Sequence, residues 1–212
     1  SKELIFEWAK AHSLIPTVPP SDMRRHMANM LRGGDGADVV VLVRDQPFRA
    51  HRCVLAARSP VFRAELFGGG HMRERRTSCV VVDDMEPSIF SAFLHFIYTD
   101  SLPENPDTPG DDQDCMAMQH LMVAADRYGL DRLVLICEEK LCRGIDVQTV
   151  ATTLALAEQH QRVALKDACL GFIVSRGVLG AVARTDGFKH LLTTCPSIMV
   201  DILDKVASVM SK

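Results

Sequence analysis

The stretch from Phe48 to Phe62, Phe-Arg-Ala-His-Arg-Cys-Val-Leu-Ala-Ala-Arg-Ser-Pro-Val-Phe, constrains the fold more than any other part of the chain. It reads as a strand end that turns into a helix, breaks at Ser59-Pro60 and resumes as a second helix from Val61, because proline restricts the residue before it to extended backbone. Such a break makes an inner corner of a domain. Its polar residues lie among apolar ones that cannot all face water, so some of them must find partners inside the fold.

The chain has 212 residues, 47% of them hydrophobic. That length supports a substantial core, as one large domain or two modest ones. No apolar run reaches membrane-spanning length, and Ser1-Lys2-Glu3-Leu4 lacks the layout of a signal peptide, while the start without Met suggests a fragment. The seven cysteines (Cys53, Cys79, Cys115, Cys137, Cys142, Cys169, Cys195) are odd in number and widely spread. They read as small buried hydrophobes of a reducing, intracellular compartment, nucleus or cytoplasm. A formal net charge of −3 disfavours nucleic acid as a partner, since phosphate binding needs a clustered basic face.

Residues 1–18 read as a linker or arm, with a short amphipathic piece at Leu4 to Ala9 followed by a proline-rich run. Ser21 and Asp22 supply an N-cap and an acidic first turn, and Gly33-Gly34 stop the helix between. On that helix Met23, Met27, Met30 and Leu31 share one face. Such a stripe is either the helix's own core contact or a subunit interface favoured by adaptable thioethers, and periodicity alone leaves both open. A hairpin of Val39–Val43 with Phe48–Ala50 follows, then the corner, a strand at Cys79–Asp83 and a helix from about Pro87. The span 103–114 reads as an acidic loop. From Cys115 the pattern is helical: 115–127, 131–142, 147–159, 163–176, a shorter piece near 178–192, and 197–209. Strands early and helices late predict an α+β domain followed by an all-α one, divided near Asp146.

Catalytic chemistry finds no foothold. There is no nucleophile elbow, phosphate loop or two-histidine zinc helix. Cys137 and Cys142 fall on different helix faces and His51 with Cys53 lacks a second ligand pair, so neither a metal nor a cofactor is expected.

The order of elements and several motifs together resemble the BTB (POZ) domain with a BACK-type helical extension. They are Asp38-Val39, the Phe48–Phe62 corner, Phe96-Ile97-Tyr98-Thr99-Asp100, Ala124-Ala125-Asp126-Arg127-Tyr128 and Cys137-Glu138-x-x-Leu141. The fit is to the MATH-BTB, speckle-type POZ-like branch and its plant form in particular, over about residues 18–210, with no MATH domain in this chain. The resemblance implies a three-stranded BTB/POZ fold over 19–145 and a BACK-like helical domain over 146–212. It also implies a non-enzymatic adaptor of a cullin-3 ubiquitin ligase that dimerises, docks the N-terminal region of cullin-3, and takes substrates through a MATH domain. Carried over, the dimer interface falls on Met23, Met27, Met30 and Val54. The cullin contact falls on Met72 and Glu74 of Met72-Arg73-Glu74, a charged groove on Asp38 and Arg52, and a possible BACK self-association position on Leu203. Two alternatives stand beside this: a BTB scaffold in transcriptional regulation, and a MATH-less competitor of complete adaptors.

Overall fold

A computed structural model of the chain describes residues 2–11, 18–68, 79–103, 111–175 and 177–210. The arm contains a helix, α1 (Lys2–Ala11), with Leu4, Ile5, Phe6 and Trp8 all exposed. The helix α2 (Met23–Gly33) ends where Gly34 takes φ +65° and donates its N–H to the Met30 carbonyl at 3.0 Å, a position open to glycine at little strain. Its start differs from expectation. Asp22 occupies the cap position, but its carboxylate reaches sideways to Arg25 (3.0 Å) and His26 (3.4 Å) rather than to the backbone.

Strands β1 (Val39–Val43) and β2 (Gln46–Ala50) pair antiparallel across Arg44-Asp45. The second strand begins two residues earlier than its apolar pattern suggests and includes Pro47. The sheet order β2-β1-β3 makes β2 an edge, where a missing N–H is tolerated. Val39, Val41 and Val43 are buried, and Val40 and Leu42 half-buried, as the uninterrupted aliphatic run of a central strand requires. The third strand, β3 (Cys79–Val82), runs parallel to β1, and a parallel neighbour needs a crossover. The corner begins that crossover with α3 (Arg52–Arg58) and α4 (Pro60–Phe67).

The polar residues of the corner are satisfied internally. Ser59, 1% exposed, accepts from the Phe62 N–H at 3.2 Å, capping α4, and donates to the Tyr128 carbonyl at 2.7 Å. His51 Nε2 lies 2.9 Å from the Asp35 carbonyl, which can only accept, so the proton is assigned to Nε2. Its Nδ1 then accepts from the Tyr98 hydroxyl at 2.7 Å, and that oxygen in turn accepts from the His51 backbone N–H at 2.9 Å. Burial pushes the Tyr98 phenol up to about 12, which keeps it protonated as this donor.

The remaining elements are helices: α5 (Pro87–Thr99), α6 (Asp111–Arg127), α7 (Asp131–Arg143), α8 (Val150–Gln159), α9 (Val163–Ile173), α10 (Val178–Val182), α11 (Asp186–Thr194) and α12 (Ile198–Met210). Phe62, Phe93 and Tyr128 from α4, α5 and the end of α6 form an aromatic cluster, with Tyr128 4.8 Å from Phe62 and 5.2 Å from Phe93 between centroids. Two helical boundaries correct the sequence reading. The helix expected from Cys115 starts at Asp111, because aspartates suit the positive end of a helix as well as a loop. The single piece near 178–192 is two helices. Thr185 is extended (ψ 149°) and its hydroxyl accepts from the Phe188 N–H at 3.2 Å, which ends one helix and caps the next.

The cysteines are also less uniformly buried than expected. Cys115, Cys137 and Cys169 are buried, and burial pushes the Cys137 and Cys169 thiols up to about 12. Cys53 and Cys79 are exposed, the latter on the outward face of β3. Among the described residues no helix is long and apolar enough to cross a membrane.

Because Ser59 serves a cap and a buried carbonyl at once, Ser59→Ala removes about 1 kcal/mol of capping and leaves the Tyr128 carbonyl without its donor, about 1–3 kcal/mol more. Urea denaturation of the variant is expected to show a total loss of roughly 2–4 kcal/mol with an unchanged m-value; an unmoved midpoint contradicts this role.

Candidate functional site: an uncovered groove along the first methionine helix

The methionine helix is placed by its own inner residues. Met27, Met30 and Leu31 pack against the core beside α5, yet no residue of α2 is buried. Met23 is 65% exposed. Alongside it runs an open groove of about 390 Å³, whose walls are Met23 and Met27 from α2 and Cys53, Val54 and Ala57 from α3, over Ile97 and Tyr98 of α5. The structure thus brings Met23, Met27 and Val54 onto one surface. Met30 is not among the groove's lining residues and sits further along the helix against the core.

The corner positions the α3 wall. The His51–Tyr98 pair ties the start of α3 to α5, and the Ser59 cap fixes its far end, so Val54 and its neighbours are presented on a fixed helix. Charge closes one end of the groove. Arg58 pairs with Asp100, which also holds Arg132 at 2.9 Å, and the Arg58 guanidinium lies 5.7 Å from the Phe96 ring centroid. Cys53, Ala57 and Tyr98 were missed as site residues. The spacing of Cys53, Val54 and Ala57, one helical face, was the available signal.

Asp38 and Arg52 come together outside the groove lining. Asp38 Oδ1 accepts from the Arg52 backbone N–H at 2.8 Å, at the first turn of α3. The Arg52 guanidinium donates to the Leu66 carbonyl at 2.6 Å and lies 5.1 Å from the Phe67 ring centroid, at the end of α4. Both charges therefore bind backbone ends within the corner. Met72 and Glu74 lie outside the described residues; the last described residues before them are Phe67, 57% exposed, and Gly68. Leu203 stands on α12 with Val200 one turn before it, both exposed. Among the described residues no group of three or more His, Cys, Asp or Glu could hold a metal ion.

Residues 27–145 match the family model of the BTB/POZ domain, and residues 149–203 that of the BPM/SPOP BACK domain. The chain is 46% identical over 196 residues to BTB/POZ and MATH domain-containing protein 3 of Arabidopsis thaliana, covering 90% of this chain and 47% of that protein. It is 42% identical over 198 residues to BTB/POZ and MATH domain-containing protein 4 of the same plant, covering 90% and 41%. Among solved structures, the BTB domain of zebrafish PATZ1 aligns with 26% identity and a TM-score of 0.42, over 59% of this chain and 96% of that one. The chain spans about half the length of the curated relatives it matches. It belongs to the BTB/POZ domain family, a family of protein-interaction modules, and carries behind that domain a BACK domain of the BPM/SPOP type.

Proposed function

We propose that this chain is the dimerising, scaffold-binding portion of a non-enzymatic substrate adaptor for a cullin-3 ubiquitin ligase, with the BTB domain over 19–145 and the BACK helices over 146–212. The observation that carries the reading is α2, an amphipathic helix with no buried residue whose Met23 and Met27 share an open groove with Val54. An apolar face that the described residues leave uncovered is an interface in waiting, and thioethers adapt well to a second copy of the same surface. In this reading α2 and α3 of two protomers fill each other's grooves about a two-fold axis, as isologous contacts do.

Met72 supplies the apolar anchor for cullin-3 and Glu74 the flanking charge that sets orientation. The relatives' names join this domain to a MATH domain. A MATH domain on a longer form of the protein captures the substrate, and Leu203 with Val200 extends self-association through the BACK helices. The adaptor works in the nucleus, the cytoplasm or both.

Met27→Glu places a carboxylate in an apolar seam, a cost of several kcal/mol or roughly a thousandfold in dissociation constant. Light scattering is expected to give a dimer mass for wild type and a monomer mass for the variant; equal masses rule out this seam. Cys53 offers an independent check, since it lines the same groove and is exposed in the single chain. Iodoacetamide is expected to modify Cys53 slowly in the wild-type dimer and quickly in Met27→Glu, with Cys79 reacting alike in both.

The scaffold contact is tested by recovery on the immobilised N-terminal region of cullin-3. A Met72→Ala, Glu74→Ala double variant is expected to remain dimeric and lose most of its recovery. Recovery equal to wild type removes these residues from the contact.

A further inference from the structure

On the neighbouring side of α2 from the methionine groove lies a second recess, of about 710 Å³, open to solvent. Ser21, Arg24 and Arg25 line it from the start of α2, and His95, Thr99 and Ser101 from the end of α5 and the turn after it. Among the described residues that line it, the side chains that can carry charge are basic: Arg24, Arg25 and His95. Arg24 has no carboxylate partner among the described residues, and Arg25 shares Asp22 with His26. Arg32, further along α2, bonds the Asn29 side chain (2.6 Å) and the Ala28 carbonyl (3.5 Å) and has no carboxylate partner among the described residues. Asp100, between Thr99 and Ser101 in sequence, turns its carboxylate to Arg58 and Arg132 instead and lines the other groove.

The positive field registers at His95, held below the usual imidazole range first by burial and then by Arg32 and Arg24. The chain as a whole carries a net charge of −3, so this patch does not follow from a generally basic surface. Hydroxyl groups complete the lining. Thr99 donates to the His95 carbonyl at 2.8 Å, and the Ser101 hydroxyl lies 3.1 Å from that of Thr99.

We propose that this recess docks an acidic peptide segment of a partner protein. Guanidinium forks bind carboxylates in two-point contacts, and the recess is far larger than one ion needs, which suits several consecutive acidic residues. Such binding is steered by charge and weakens with salt. The site is distinct from the methionine groove, although Arg24 borders both.

Fluorescence anisotropy of fluorescein-labelled hexaglutamate on the full chain at low ionic strength tests the assignment, with equally labelled hexaglutamine as control. Hexaglutamate is expected to bind wild type, to lose affinity as salt rises, and to weaken about tenfold or more in Arg24→Glu. His95→Gln is expected to weaken it to a smaller extent, and hexaglutamine is expected not to bind. Arg63→Glu makes the same charge change on α4, at an exposed arginine without a carboxylate partner among the described residues, and is expected to bind like wild type. Should Arg24→Glu alter the mass in light scattering, Arg25→Glu, which borders this recess alone, carries the same comparison. The proposal is overturned by absence of hexaglutamate binding, by equal losses in Arg24→Glu and Arg63→Glu, by equal binding of hexaglutamine, or by preference for phosphatidylserine vesicles over hexaglutamate.

Discussion

The architecture depends on a joint made by four residues from two distant stretches, Ser59-Pro60 and Tyr128-Gly129. A serine hydroxyl has one hydrogen to give and lone pairs to receive, and Ser59 uses both, toward the Tyr128 carbonyl and from the Phe62 N–H. Gly129 has φ +69°, and a Cβ there would fall 2.6 Å from the Pro60 ring, so only glycine admits both the turn and the approach. The proline that breaks the helix is thereby the residue packed on the glycine that ends α6. This fixes α4 against α6 and brings the Phe62 and Tyr128 rings together. It also sets the direction of α3, whose outer face is one wall of the methionine groove.

What the sequence disclosed and what it withheld divide along a physical line. Features set by local chemistry were legible: the β-branched run of β1, the Ser-Pro break, the glycine stop after α2, and the strand that begins at Cys79. The need for internal partners in the corner was legible too, because polar groups amid an apolar run cannot all reach water. The identities of those partners were not. Tyr98 and Tyr128 lie far along the chain, and only the fold decides that a phenol hydroxyl and a backbone carbonyl come to the corner. The same holds for Asp38 and Arg52. The resemblance alone assigned them to a charged groove, and the fold adds that each has a backbone partner, Asp38 the Arg52 N–H and Arg52 the Leu66 carbonyl. The break at Thr185 was hidden for another reason, since threonine in a helical pattern signals a cap only when its backbone is extended.

The methionine stripe shows how a local pattern gains meaning from its surroundings. On periodicity alone a stripe of thioethers is either an inward face or a subunit interface. The structure divides it, with Met30 and Leu31 leaning on the core and Met23 standing clear. The division follows the contact with α5, which takes the later residues of the stripe, while Met23 in the first turn stays exposed. No described residue covers Met23.

The helical extension is not a loose appendage to this arrangement. Asp126, at the end of α6, receives His160 at 3.0 Å and pairs with Arg162, both at the turn between α8 and α9. Arg162 Nε also lies 3.6 Å from Glu138 on α7, so one guanidinium faces carboxylates from two helices of the BTB region. Exposed ion pairs hold little, and Asp126 stays open to water at 37% exposure, but Glu138 (13%) and Arg162 (27%) are more enclosed, where a charge without a partner is costly. Beneath them α9 packs on α7, with Cys169 and Leu165 buried in the same apolar core as Cys137 and Leu133. Core and ion pairs act at the same junction. The surface of α12 that bears Leu203 is therefore held, through α9 and α7, in a fixed relation to α6 and the Ser59 joint, and through that joint to the groove along α2.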